Sequence, residues 1–326
     1  MSTTVLGRSA KGVYPISITP FTDNGEVDFS SLDRLTDFFI ERGVPGLTLL
    51  GILGEAARLS EQESVAIVRH VLRRLDGRAQ VIVGCNHVGF ANFQRFTTTV
   101  MSEGAAGIMV APVGTAKTEE QILNYFAHLI STIGEDVPLA LQDYPQYTGV
   151  HMSVATIAAL LKNHTSIKVI KHEEASALRK ISRLREQEAD GERERISILV
   201  GNSAIYLPQE LQRGADGANT GVAFPEMLIE VCRRFAAGDS AGGEDVYDLF
   251  LPLVRYEQQP GIGLAIRKEI FRRRGLIISS KTRGPGPALD RDDHKELSAL
   301  LDRLQVKLRS AGLESLIASH PISANI

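Results

Sequence analysis

Lys171 and Glu173 stand two residues apart at the end of Ser166-Ile167-Lys168-Val169-Ile170-Lys171-His172-Glu173. The run is largely apolar and β-branched, which predicts a buried strand. Side chains at i and i+2 of a strand share a face. The amine and the carboxylate therefore project together, and His172 turns the other way. Taking an amine out of water favours its neutral, nucleophilic form, and a carboxylate fixed beside it can carry protons. The pair points to a nucleophile with its own acid–base partner. The plain alternative is a structural ion pair at a strand end.

What positions such a pair is legible in the order of elements. Eight short apolar runs predict strands: Val13 to Ile18, Gly46 to Gly51, Val81 to Gly84, Gly107 to Ala111, Pro138 to Gln142, Ser166 to Lys171, Ile196 to Val200 and Gly217 to Val222. Between them lie amphipathic sets such as Leu32, Leu35, Phe38 and Phe39, or Val65, Val68, Leu72 and Leu75. Their i, i+3, i+4 spacing predicts helices. Ser60 with Glu63, and Thr118 with Gln121, have the spacing of capping boxes. Strands that are apolar throughout imply a parallel sheet covered on both faces. Eight of them alternating with helices predict a (β/α)8 TIM barrel over 12–223. No G-x-G-x-x-G follows an early strand, which weakens the doubly wound alternative. Further helical patterns at about 226–237, 243–257, 260–274 and 291–311 exceed what a barrel needs. They predict a C-terminal helical bundle over 224–312, with poorly ordered tails at 1–11 and 313–326. Gly284 to Pro287 reads as a rigid loop.

The chain's 326 residues carry 43% hydrophobic and 23% charged side chains, an ordinary globular balance. A net charge of −3 offers no basic field for nucleic acid or an anionic membrane. The cluster Arg272-Arg273-Arg274 reads as a solvated helix end. Two cysteines, Cys85 and Cys232, exclude a disulfide framework and fit a reducing, cytoplasmic setting. Cys85 reads as a small buried hydrophobe. No stretch reaches transmembrane length. The histidines show no metal-ligand spacing, so neither metal nor cofactor is expected.

In a TIM barrel, chemistry sits where the strands end. The strand ends here offer Ser17 and Thr19, Gly51 to Glu55, Gly84 to His87, Gln142 to Tyr144, Lys171 and Glu173, Gly201 to Ser203, and Asn219 to Val222. Several of these segments carry a resemblance: Gly12-Val13 followed by Thr19-Pro20-Phe21, Gly51-Ile52-Leu53-Gly54-Glu55, Asp143-Tyr144-Pro145-Gln146-Tyr147-Thr148-Gly149, Ile170-Lys171 and Gly201-Asn202. In this order, from about Gly12 to residue 310, the chain resembles the class I aldolase family of dihydrodipicolinate synthase and N-acetylneuraminate lyase. The resemblance implies a TIM barrel with a C-terminal helical bundle, a Schiff base on Lys171, a 2-keto acid substrate and a homo-oligomer, tetramer or dimer.

The departures bear on the substrate. Ile52 and Leu53 stand where the family has two threonines of a proton relay, and Gln142 stands where its catalytic tyrosine belongs. Tyr144 shares Gln142's face and could supply a phenol from a shifted position, or simply pack at the mouth. Tyr147 replaces an arginine that the synthases use for an aldehyde substrate's carboxylate, and Pro112 is followed by Val113 and Gly114, not by the family's second tyrosine. Gln-Asp-x-Pro on the fifth strand with Lys-x-Glu on the sixth is more similar to the 2-keto-3-deoxy-L-arabinonate dehydratases.

The expected chemistry follows from both readings. Lys171 attacks the C2 ketone of a 2-keto acid, and Glu173 removes a C3 proton from the iminium. It then protonates a leaving C4 hydroxyl, completing a dehydration. Gln142 orients the intermediate, and backbone N–H groups of Ile52, Leu53 and Gly54 hold the substrate carboxylate. Ser17, Thr19, Asn202 and Ser203 are candidates for substrate hydroxyls, each also readable as a turn or cap residue. Glu55 is expected to orient its loop, and Asn86-His87 either reaches the mouth or is a solvated loop. A pyruvate-dependent aldolase, a 4-hydroxy-tetrahydrodipicolinate synthase and a non-catalytic keto-acid binding protein remain as alternatives. The apolar Ile52, Leu53 and Val113 leave room for an aromatic or aliphatic substituent on the substrate.

Overall fold

The computed structural model describes residues 5–85, 87–175, 178–284 and 286–322. Strands and helices alternate along it: β1 (Gly12–Val13), α1 (Phe29–Glu41), β2 (Gly46–Leu49), α2 (Glu61–Leu75), β3 (Gln80–Gly84), α3 (Phe90–Ser102), β4 (Gly107–Val110) and α4 (Glu119–Ile133). There follow β5 (Leu139–Asp143), α5 (Pro145–Thr148), α6 (Val154–Asn163), β6 (Ile167–His172), α7 (Leu178–Ala189), β7 (Ser197–Val200), α8 (Leu207–Gln212), β8 (Gly217–Ala218) and α9 (Pro225–Ala236). The extension consists of α10 (Ser240–Glu257), α11 (Gly263–Arg273) and α12 (Arg291–Ser310). Both expected capping boxes are formed, Ser60 with Glu63 and Thr118 with Gln121.

All strands are parallel, in the order β1-β8-β7-β6-β5-β4-β3-β2. The barrel closes between β1 and β2 through the bridge Ile16–Thr48. The first strand is shorter than its apolar run because Pro15 has no N–H to give to a ladder. Its carbonyl instead accepts the Thr48 N–H at 2.8 Å. β8 is likewise cut to two residues. Gly217 has φ 150°, and a Cβ there would lie 1.9 Å from the Gly12 carbonyl oxygen, so only glycine lets β1 and β8 approach this closely.

Alternation along the strands sorts the core into two layers. Outward residues such as Leu47, Val83, Ile108, Leu141, Ile170 and Ile198 pack under the helices. Tyr14, Ile82, Met109, Ala140, Val169 and Leu199 form a second, inner cluster together with Leu6. The expected disorder ahead of β1 is therefore corrected from Val5 on. Leu6 is 1% exposed and its N–H bonds the Ala106 carbonyl at 2.9 Å, so it seals the end of the barrel away from the strand C-termini. Burying such a side chain contributes about 1.5–3 kcal/mol. In the segment expected to be the C-terminal tail, Ile317 and Ile322 are also buried.

The helix expected to open the extension, α9, packs against β1 and α8 and takes the eighth helix position. The barrel's helical ring thus runs to Ala236, past the expected boundary at 223. α10 packs on α9, α11 and α12. The arginine cluster ending α11 is not a solvated end: Arg273 and Arg274 are buried against Glu269 and Glu226. Of the Gly284 to Pro287 loop, Pro285 lies outside the described residues. No helix among the described residues is long and apolar enough to cross a membrane.

Candidate active site

The register of β5 against β6 pairs Gln142 with Lys171 and Asp143 with His172. Alternation then sends Gln142, Lys171 and Glu173 into the barrel and Asp143 and His172 outward, as the i, i+2 rule requires. All three inward side chains are buried, Lys171 to 2% exposure. Lys171 Nζ lies 2.8 Å from Glu173 Oε1. Gln142 Nε2 donates to the same oxygen at 2.6 Å. The other oxygen, Oε2, accepts the backbone N–H of Asn202 at 3.1 Å. The carboxylate is thus held from β5, from β6 and from the turn after β7. Gly201 makes room for it: a Cβ there would meet Glu173 Cγ at 2.2 Å.

On the outer face His172 Nδ1 lies 3.5 Å from Asp143 Oδ2, which also takes Lys180 Nζ at 2.8 Å. Burial raises the Asp143 carboxyl, but the neighbouring His172 ring and the Lys180 charge more than offset it and hold it below its ordinary value. His172 is therefore buried behind the site, turned away from Lys171 as the alternation predicts.

The remaining candidates divide. Tyr144 caps α5 at the mouth, half-buried and stacked on Tyr147 with ring centroids 6.0 Å apart. Burial, and then the negative charge of Glu173, push its phenol up. Thr19 Oγ1 donates to the Gly54 carbonyl at 2.6 Å and fixes the loop after β2. Ser17 Oγ donates to the neighbouring Ile18 carbonyl at 3.0 Å. Ser203 is not an N-cap: its Oγ accepts from Arg267 Nη2 at 2.6 Å. Each of these three hydroxyls makes one hydrogen bond within the protein.

Ile52 to Gly54 form one 3-10 turn. The Gly54 N–H is taken by the Gly51 carbonyl at 3.0 Å, so it is withdrawn from the expected carboxylate pocket. Ile52 and Leu53 open the turn, where N–H groups lack helical partners. Ile52 is 40% exposed, and Leu53 packs over Gly221. Of Asn86-His87, Asn86 lies outside the described residues, and His87 packs edge-on against Phe96 of α3. Cys85 is buried, with its thiol pushed up to about 12 by burial. Among the described residues no group of three or more His, Cys, Asp and Glu side chains could hold a metal ion.

The extension supplies what the sequence reading missed. Glu55, in the left-handed region at φ 55°, is anchored by Lys268 Nζ at 2.5 Å, by Arg58 at 2.9 Å and by the Arg283 N–H at 2.9 Å. Burial pushes Lys268 down to about 8 against the pull of Glu55. Arg267 pairs with Glu257 at 2.9 Å, and Gln258 Nε2 donates to the Asn202 carbonyl at 2.5 Å. Burial pushes Glu257 up to about 7 against the pull of Arg267. Charged residues in a helix default to its solvent face, yet Arg267, Lys268 and Glu269 are all buried. The sequence carries no signal for this, since three consecutive charges can share a helix's solvent side, as Arg291, Asp292 and Asp293 do in α12. Together Ile52, Leu53, Tyr144, Tyr147, Gln258 and Arg267 line a cavity of about 400 Å³ at the mouth.

Residues 9–304 match the Dihydrodipicolinate synthetase family. The chain is 29% identical over 301 residues to an L-2-keto-3-deoxyarabonate dehydratase of Azospirillum brasilense, covering 90% of this chain and 94% of that protein. It is 28% identical over 248 residues to a 4-hydroxy-tetrahydrodipicolinate synthase of Methanocaldococcus jannaschii, covering 75% and 82%. The crystal structure of a dihydrodipicolinate synthase from Rhodopseudomonas palustris superposes with a TM-score of 0.90 at 42% identity, over 92% of this chain and 99% of that one. With a barrel, a mouth-facing lysine on β6 and a family match over nearly its whole length, the chain belongs to the dihydrodipicolinate synthetase family.

Proposed function

We propose that the protein is a lyase that forms a Schiff base with a 2-keto acid and dehydrates a 2-keto-3-deoxy sugar acid. The observation that carries this reading is the 2.8 Å contact of Lys171 Nζ with Glu173 Oε1 inside the barrel mouth. A proton passed from Nζ to the carboxylate frees the amine to attack the C2 ketone. Glu173 returns that proton to the carbinolamine hydroxyl, which leaves as water to give the iminium, and the positive charge acidifies C3. Glu173 takes one C3 proton to form the enamine, then returns it to the C4 hydroxyl as that group leaves. Hydrolysis of the unsaturated iminium frees the amine, and the net change is loss of one water.

Gln142 orients Glu173 and the intermediate without carrying a proton, since an amide has none to give at neutral pH. Tyr144 borders the reacting atoms with its phenol held protonated. The Ile52 and Leu53 N–H groups receive the substrate carboxylate. The Asn202 N–H is occupied by Glu173, so its role is to fix the base. The similarity to the Azospirillum dehydratase over 90% of the chain supports this reading. We also propose a homo-oligomer, carried over from the family.

A second reading is synthesis from pyruvate and aspartate semialdehyde, favoured by the name of the 42% identical Rhodopseudomonas protein. Against it stand Gln142, Ile52 and Leu53 where that chemistry uses hydroxyls. Product analysis separates the two. Incubation with 2-keto-3-deoxypentonate should give a dehydrated product with all its carbons. Release of pyruvate, or condensation of pyruvate with the semialdehyde in place of dehydration, would sink the proposal.

A further inference from the structure

Asn202, Ser203 and Ala204 have φ values of 50°, 54° and 54°, three successive non-glycine residues in the left-handed region. L-residues enter that region singly and at a cost. A run of three persists only where surrounding contacts over-determine it. Those contacts come from the C-terminal extension. Gln258, following α10, donates through Nε2 to the Asn202 carbonyl at 2.5 Å and to its Oδ1 at 3.2 Å. Arg267 of α11 reaches Ser203 Oγ at 2.6 Å, and its guanidinium is held by Glu257 at 2.9 Å. Tyr247 of α10 donates to the Ala204 carbonyl at 3.0 Å. Glu257 in turn accepts the Ala223 N–H at 3.1 Å, tying the clamp to the segment after β8. The extension bonds the turn at each of its three residues, and the turn's first N–H is the one that meets Glu173 Oε2.

We infer that Gln258 and Arg267 are positioning residues for proton transfer. They hold the left-handed turn so that the Asn202 N–H fixes one oxygen of Glu173, leaving the other toward Lys171. The C-terminal extension is thereby part of the catalytic apparatus although none of its residues bonds the reacting pair. The inference rests on the proposed role of Glu173 as the proton carrier. It assigns the extension's polar residues to the proton-transfer step and not to imine formation, because Lys171 is fixed by β6 alone.

The test is Gln258→Ala in the full chain, with three readouts: the Lys171 adduct trapped by borohydride with pyruvate, the KM and the kcat. The expected result is an undiminished adduct and an unchanged KM, with kcat lowered by about 10- to 100-fold. Adding Asn202→Gly, which keeps the backbone N–H and removes the left-handed penalty, should recover part of the lost kcat. Arg267→Lys keeps a charge opposite Glu257 but loses the fork that spans to Ser203. It is the second variant should Gln258→Ala not fold, with the same expectation. A raised KM at unchanged kcat would overturn the inference, because Gln258 would then be a substrate contact in the mouth cavity. Full kcat, or loss of the adduct in step with kcat in folded protein, would overturn it equally. Failure of the underlying reading is distinct: the unsubstituted protein would give no adduct, or Glu173→Gln would keep full activity.

Discussion

Glu173 receives an amine, an amide N–H and a backbone N–H, and so has little freedom to reorient. That fixity suits a group that must take a proton from C3 and hand it to C4 of the same substrate. Glu173→Gln should still form the borohydride-trapped adduct, while kcat falls by about 10²- to 10⁴-fold, the usual worth of a positioned acid–base group. Tyr144→Phe should cost less than about tenfold, since the phenol is held protonated and stacks on Tyr147 rather than bonding the pair. Steady-state kinetics on both variants decides between carboxylate and phenol: a larger loss for Tyr144→Phe would transfer the role. The pair itself is legible in the sequence because two polar residues at i and i+2 on an apolar strand have one structural reading. The partners of Thr19 and Ser203 are not, because the loop and helix atoms they bond are distant in sequence.

At the scale of elements, the fold follows from periodicity, and the misreadings have local causes. The two shortened strands, β1 and β8, meet at the barrel's tightest seam, where Pro15 and Gly217 break regular pairing. α9 reads as surplus in sequence because its apolar face does not reveal whether it lies on a strand or on another helix. α8 carries a buried acid that no pattern announces. Glu210 is pushed from 4.5 up to about 8 by burial. Its Oε2 has no hydrogen-bond partner among the described residues. The unfolded chain releases that proton near pH 4.5 while the folded one keeps it to about 8. The folded state therefore binds more protons across that window, and stability falls as pH rises through it, by at most about 1.4 kcal/mol per pH unit. Glu210→Gln should remove this fall, raising the melting temperature at pH 8 and leaving it unchanged at pH 4. Equal melting curves at pH 8 would contradict the assignment.

At the scale of the molecule, the barrel and its extension are one catalytic unit. The extension grips two loops that follow barrel strands: the turn after β7 through Gln258 and Arg267, and the loop after β2 through Lys268 on Glu55. Removing one partner of a buried ion pair is costly, so Lys268→Met should destabilise the protein by about 3–5 kcal/mol in denaturant titration. A loss under about 1 kcal/mol would mean that Glu55 does not depend on Lys268. The claim on which the whole account turns is that Lys171 forms an imine with a 2-keto acid. The most direct measurement is the mass of the intact protein after incubation with pyruvate and borohydride, followed by peptide mapping. The account predicts a single reduced adduct on Lys171, absent in Lys171→Arg. A folded protein with no adduct for any 2-keto acid, or an adduct on another lysine, would contradict it.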